Sequence, residues 1–401
     1  MIERQYYLKK LKSYTDKPVI KVITGMRRVG KSTLLQQYYN HLLSIGIHQE
    51  NILIMNMESL EFDFIRTYSD LNKHIKRRLP GKNKKYLLID EVQNIREWEK
   101  AINSLFSGGH YDITITGSNA RMLSTELSTL LSGRYIEIPV YTLSFKEFIQ
   151  MRLTSVPDEL TKESFRLFLR YGGLPGIHHL PLTDEAIFPY LNAIYNTILL
   201  KDVVSRNKIR EVELLERITH FILNNCGNIT SAKNIADYLK SQRTPISVET
   251  VQNYLHFLTQ AYMIHRVRRY DLKGKRYLEY FEKFYPADVG LRFGITGYND
   301  ENISGILENI VYLALIQQGN VVSTGQMGSN EVDFIATFNN RKSYIQVAYL
   351  LADEKTVERE FGNLERIHDN WPKMVVSLDD HWGEGRGGIL RKSIPDFLLE
   401  I

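Results

Sequence analysis

Apolar, β-branched residues gather along the first third of the chain in five short runs: Val19 to Thr24, Ile52 to Asn56, Tyr86 to Asp90, Ile113 to Thr116 and Tyr135 to Val140. A segment with helical spacing separates each run from the next. Ile95, Trp98, Ile102 and Leu105, at i, i+3, i+7 and i+10, show that spacing most plainly. Strands alternating with helices predict a parallel sheet covered on both faces, an α/β architecture whose ligands lie at the carboxyl ends of its strands. From Leu143 to Asn207 the pattern turns helical, with Phe145, Phe148 and Ile149 and then Phe165, Phe168 and Leu169 at helical intervals. The turn Gly172-Gly173-Leu174-Pro175-Gly176 inside this segment reads either as a hinge or as a tight helix-helix connection.

Residues 208–280 fit a winged-helix domain. One helix runs through Leu214, Ile218 and Phe221, a second from Ala232 to Leu239, and a third from Val248 to Leu258, whose buried face is expected to be Val248, Val251, Leu255 and Leu258. The opposite face of the third helix carries Glu249, Thr250, Gln252, Asn253 and His256, which is polar without being basic. Arg266, Arg268 and Arg269, followed by Lys273-Gly274-Lys275-Arg276 at a turn, form a basic ribbon placed to meet DNA or RNA phosphates; a structural or protein-docking role for the same fold stays open. In residues 281–401, Glu308 lies on an amphipathic helix, and two strands, Glu331-Val332-Asp333-Phe334-Ile335 and Tyr344-Ile345-Gln346-Val347-Ala348, flank a turn at Asn339-Asn340. This arrangement resembles a restriction-endonuclease-like α/β domain, in which an acid, a second acid and a lysine two residues later position metal and water. Here Gln346 stands in place of the second acid and Ala348 in place of the lysine, so the domain is expected to be degenerate, with Lys342 and Lys355 as candidate replacements.

The first strand runs directly into Gly25-Met26-Arg27-Arg28-Val29-Gly30-Lys31-Ser32-Thr33, which spells the phosphate-binding loop G-x-x-x-x-G-K-S between a strand and a helix. The glycines let successive N–H groups converge on phosphates at a helix N-terminus that already favours anions. Lys31 supplies a mobile positive charge and Ser32 a hydroxyl for Mg2+. Gly25, Arg28, Gly30, Lys31, Ser32 and Thr33 are therefore the candidate ATP-binding residues. The third strand ends in Asp90-Glu91. Asp90 is expected to join Ser32 in holding Mg2+ and Glu91 to polarise the attacking water, the alternative being that both cap the next helix. After the fourth strand, Ser118 first and Asn119 second are candidates to sense the γ-phosphate or orient that water, or else to cap a helix through Met122 and Leu127.

A chain of 401 residues predicts several domains, and 43% hydrophobic with 24% charged residues is the balance of a globular protein. Its single cysteine, Cys226, rules out an internal disulfide, the first residues carry no signal-peptide pattern, and no apolar run is long enough to span a membrane; the expectation is a cytoplasmic protein. Net charge of +5 and a pI near 8.9 permit nucleic-acid contact without showing it.

The combination of Thr24-Gly25 to Thr33, Leu88-Ile89-Asp90-Glu91-Val92-Gln93, Thr116-Gly117-Ser118 and Ser132-Gly133-Arg134 resembles the prokaryotic AAA-type P-loop ATPases that carry a C-terminal domain of uncharacterised function, of the DUF4143 kind. The resemblance continues through Tyr171-Gly172-Gly173-Leu174-Pro175 and Glu331-Val332-Asp333-Phe334. It implies a P-loop ATPase core at 1–142, a helical lid at 143–207, and Arg134 as an arginine finger or γ-phosphate sensor acting on its own or a neighbouring subunit's nucleotide, so an oligomer is possible. The expected function is a Mg2+-dependent ATPase that works as a switch or motor on a partner. The alternatives are a nucleic-acid-binding regulator using ATP as a ligand and a metal-dependent nuclease.

Overall fold

The computed structural model describes residues 2–81, 83–120, 133–152, 158–278, 280–298, 302–328, 330–379 and 385–401, without the side chains of 158–160. The expected helix through Met122 and Leu127 lies outside these residues. Contacts divide the chain into two compact units, Met1–Tyr141 with Gln260–Tyr262, and Thr142–Thr259 with Met263–Ile401. Among the described residues no helix is long and apolar enough to cross a membrane.

The first unit is a five-stranded parallel sheet, β1 (Ile20–Thr24), β2 (Ile52–Asn56), β3 (Lys85–Asp90), β4 (Tyr111–Gly117) and β5 (Tyr135–Pro139), in the order β2-β3-β4-β1-β5. Among the described residues, four helices connect or flank the strands: α1 (Gln5–Ser13), α2 (Lys31–Ser44), α3 (Tyr68–Arg78) and α4 (Trp98–Ser107). Strand side chains alternate between faces. Ile20, Val22, Leu53, Met55, Leu87, Ile89, Ile113 and Ile115 pack in one core with Leu71 and Ile75 of α3 and Trp98, Ile102 and Leu105 of α4. Ile95 belongs to this core from extended backbone ahead of α4, so the helix starts one turn later than its spacing suggests. Between Ile20 and Val22 on β1, Lys21 is fully buried and ion-paired with Asp112 of β4 at 2.5 Å; burial lowers its pKa even so.

The second unit holds α5 (Phe145–Arg152), α6 (Asp158–Tyr171) and α7 (Asp184–Thr197), the last continuing as a π-helical segment through Ile198–Val204. Then come α8 (Val212–Asn224), α9 (Ala232–Ser241) and α10 (Val248–Gln260), which share this unit with a three-stranded antiparallel sheet ordered β6 (Ile229–Thr230), β10 (Glu282–Pro286), β7 (Ile264–Val267). The buried faces differ in detail from the sequence pattern. On α8 Leu215 is fully buried and Leu214 only partly so, and on α10 Val248 is exposed while Tyr254 is buried.

The strands β8 (Arg269–Asp271) and β9 (Arg276–Tyr277), which carry Arg269 and Arg276 and flank the turn with Lys273 and Lys275, pair through β11 (Val321–Met327) with the C-terminal sheet, ordered β15-β14-β13-β12-β11-β8-β9. The ribbon is therefore anchored backbone to backbone. Arg269 donates to Gln326 and the exposed Arg266 to Glu282; Arg268, Lys273, Lys275 and Arg276 are exposed as well. The rest of that sheet is β12 (Asn330–Phe338), β13 (Arg341–Val347), β14 (Lys373–Ser377) and β15 (Leu390–Ser393), with α11 (Val289–Thr296), α12 (Ile303–Gln317), α13 (Glu354–Glu365) and α14 (Ile394–Glu400) in the same unit. β12 and β13 meet at Asn339-Asn340, where φ of +48° and +63° gives the left-handed pair a two-residue hairpin needs.

Gly172-Gly173 is a clamp within the second unit. Gly172 has φ +74°, and a Cβ there would lie 2.0 Å from Asp288 Oδ1. Asp288 is buried. It accepts N–H groups from Gly173 (2.7 Å) at one oxygen and from Gly290 (2.9 Å) and Leu291 (3.2 Å) at the other, so one carboxylate caps α11 and holds the glycine turn. Three backbone bonds and no room for a side chain describe a tight connection and not a hinge. Gly172→Ala is expected to destabilise this unit by about 2–4 kcal/mol, measured by urea unfolding. Gly46→Ala, at a left-handed glycine (φ +88°) that closes α2 with open space around it, is expected to cost only about 1 kcal/mol.

Candidate nucleotide site

The phosphate loop follows β1 at the carboxyl edge of the sheet. Gly25 has φ +138° and packs so closely that a Cβ would sit 2.1 Å from the Val140 carbonyl oxygen. Gly30, at φ +98°, is the N-cap of α2, and no side chain caps that helix, so its first N–H groups are left for an anion. Arg4 braces the loop from before α1, donating to Val29 O at 3.1 Å and Tyr141 O at 2.8 Å. Arg28 is exposed at φ +66°, whereas Arg27 is buried against Glu58 at 2.9 Å. Of the two arginines in the loop, Arg28 is the one expected to bind ATP, and it is the exposed one.

Lys31 is buried. Its Nζ donates to Gly25 O and Met26 O, both at 3.0 Å, and lies 3.5 Å from Glu91 Oε1. Ser32 is exposed at the first turn of α2 and Thr33 half-buried behind it. Asp90 is buried at the end of β3, hydrogen-bonded to Ser32 and accepting from Thr116 Oγ1 at 2.5 Å. Burial raises its pKa. Thr116 Oγ1 also accepts the Glu91 N–H at 2.9 Å, so a β4 side chain fixes both acids. Ser32 and Asp90 bring a hydroxyl and a carboxylate together, hard oxygen donors of the kind Mg2+ takes alongside phosphate and water. That set fits the ion.

Glu91 is buried with φ +54°, a left-handed conformation that a non-glycine residue adopts at a cost of order 1 kcal/mol. It does not cap a helix with its side chain. Its Oε2 accepts from Gln93 Nε2, which also donates to Ser118 Oγ at 3.3 Å. Ser118 and Asn119 are both buried just beyond β4. The structure thus brings Lys31, Ser32, Asp90, Glu91 and Ser118 into one network and adds Thr116 and Gln93. Spacing did not show either role, because Thr116 reaches both acids across strands from β4, and Gln93, two residues after Glu91, finds Ser118 beyond that same strand.

Arg134 stands elsewhere. Its carbonyl accepts from Ile20 N, and β5 pairs with β1 in the register Ile20 to Tyr135 and Thr24 to Pro139. Arg134 is exposed at the amino end of β1, about 13 Å of strand from the phosphate loop at the other end. That distance argues against a role on the nucleotide of its own chain.

A second cluster lies in the other unit. Glu308 on α12 and Asp333 on β12, the two expected acids, converge with Glu331 on Lys283 of β10, whose Nζ is 2.8 Å from Glu308, 2.6 Å from Glu331 and 3.6 Å from Asp333. Tyr285 donates to Glu308 at 2.7 Å, and Val347 N–H to Asp333 at 2.9 Å. Burial raises the pKa of both Glu308 and Asp333. Gln346 Oε1 accepts the Asp333 N–H at 3.3 Å, and Ala348 is buried. The lysine at the acids is therefore neither Lys342, which lies over the Tyr270 ring, nor the exposed Lys355. Among the described residues no group of three or more His, Cys, Asp or Glu side chains is arranged to hold a metal ion.

Residues 17–149 match a protein family described as an AAA domain, and residues 162–302 match a domain of unknown function, DUF8612, which replaces the expected DUF4143. The chain is 37% identical over 402 residues to a protein of Haemophilus influenzae described only as uncharacterized, covering 100% of this chain and 99% of the relative. It is 32% identical over 380 residues to the uncharacterized protein MJ1544 of Methanocaldococcus jannaschii, covering 90% and 82%. Among solved structures, the Walker-type ATPase PABY2304 of Pyrococcus abyssi is similar with a TM-score of 0.49 at 17% identity, over 74% of this chain and 96% of that one.

Lys283→Met leaves three carboxylates around an apolar side chain. The variant is expected to lose about 3–5 kcal/mol of stability at pH 8, measured by urea unfolding. Because a buried carboxyl with a raised pKa stabilises the fold when protonated and loses that contribution as pH rises, the deficit is expected to shrink at pH 5.

Proposed function

Because the chain belongs to a family that joins an AAA domain to DUF8612, we propose that it is an ATP-hydrolysing switch or motor acting on a partner. The observation that supports this most is the single network linking Lys31, the Ser32–Asp90 pair and Glu91 at the loop. Loop N–H groups and Lys31 bind the phosphates. Ser32 and Asp90 would hold Mg2+, which supplies charge neutralisation at the β- and γ-phosphates. Glu91 takes the proton from a water whose oxygen bonds to the γ-phosphorus as the bond to the bridging oxygen breaks, its electron pair leaving with ADP. Ser118 donates to the γ-phosphate. Arg134, exposed and remote from its own loop, is proposed to serve a neighbouring subunit's nucleotide.

A second reading is nucleic-acid contact by the segment between α8 and β10. It is supported by helices and strands in the order α8, β6, α9, α10, β7, β10, which is that of a winged helix, and by the exposed Arg268, Lys273, Lys275 and Arg276. In the C-terminal sheet, a lysine in the midst of Glu308, Glu331 and Asp333 favours a scaffold over a nuclease.

Phosphate release is expected to need Mg2+ and to disappear in Lys31→Ala, which also weakens ATP binding on the order of a hundredfold. Glu91→Gln should keep ATP binding and lower kcat by about a hundredfold to ten-thousandfold. Activity unchanged in both variants refutes hydrolysis at this site. In mixtures, Arg134→Ala subunits should depress wild-type turnover more than their share; strictly proportional loss refutes action between subunits. For the second reading, a fluorescent DNA is expected to bind with an affinity that falls steeply with salt and weakens in Lys275→Ala/Arg276→Ala; no binding at low salt refutes it.

A further inference from the structure

Gln93 belongs to none of the roles above, yet its amide touches both Glu91 and Ser118. Its orientation is fixed by chemistry: the Glu91 carboxylate only accepts, so the amide nitrogen must face it. The two amide hydrogens then go to Glu91 Oε2 and Ser118 Oγ, and Gln93 Oε1 is left buried without a hydrogen-bond partner. An orphaned buried carbonyl oxygen costs of order 1 kcal/mol or more, so this arrangement of the amide is held against a penalty and is poised to change. Both oxygens of Glu91 are engaged, Oε1 facing Lys31 at 3.5 Å and Oε2 by Gln93. Its backbone is held in the left-handed region as well.

We infer that Gln93 is a brake on Glu91 that Ser118 releases. This rests on the hydrolytic reading above. When phosphate enters the loop, Lys31 turns to it and frees Oε1. When the γ-phosphate draws Ser118, the Gln93 amide follows Ser118, gives a partner to its orphaned oxygen and frees Oε2 to receive the proton of water. ADP, lacking that phosphate, leaves the brake on. Gln93 is a positioning residue, because it acts only through Glu91 and Ser118.

The test is steady-state ATPase with and without each substitution on the full chain, alongside binding of a fluorescent ADP. Gln93→Ala is expected to raise kcat, on the order of tenfold for an interaction of this class, with ADP affinity unchanged. Ser118→Ala should lower kcat, and Gln93→Ala/Ser118→Ala should recover most of that loss, since a removed brake needs no release. A fall in kcat in Gln93→Ala, an unchanged kcat, or independent effects in the double variant each overturn the brake while Lys31-dependent turnover upholds hydrolysis. A silent wild type with an active Gln93→Ala supports both. Silence in both overturns the hydrolytic reading and the brake together. Altered ADP affinity marks a merely structural role and overturns the proposal.

Discussion

In a parallel sheet every strand delivers its carboxyl end to the same edge, and the first unit of this protein depends on that constraint. With β1, β3 and β4 adjacent, the residue that follows each strand has no choice but to meet the others: the loop after Thr24, the acids after Ile89 and Ser118 after Gly117. Once collected there, buried polar groups must satisfy one another. Thr116 does most of this, donating to Asp90 and accepting from Glu91. The same constraint explains why Arg134 is remote, since the start of a strand lies at the opposite edge.

The second unit solves a different electrostatic problem in two places. Asp288 and the Lys283 cluster are both buried charge, and each depends on partners distant in sequence: Asp288 joins the local N–H groups of Gly290 and Leu291 to the far one of Gly173, and Lys283 meets three carboxylates from later in the chain. Removing one member strands the rest, so such clusters resist piecemeal change. A lysine shared by acids from a helix and a strand ties α12, β10 and β12 together at one point.

Much of this was legible in the chain because its causes are local. The loop from Gly25 to Thr33 needs only contiguous backbone conformations, and β1, β3 and β4 stand out because almost every position along them is buried and most are apolar or β-branched. Where the reading slipped, a distant partner decided. Ile95 is buried by the core without being helical, Val248 faces outward, and the basic ribbon is drawn into the C-terminal sheet by pairing with β11.

The sequence by itself determined the phosphate loop, the parallel sheet and the presence of two acids at its edge, since glycine spacing and hydrophobic period act over a few residues. Tertiary structure alone decided that Gln93 joins Glu91 to Ser118, that Lys283 answers three acids, and that Gly172-Gly173 is clamped by Asp288. Those pairings arise from strand register and from the need of buried polar groups for partners, and neither is written in the spacing of any one segment.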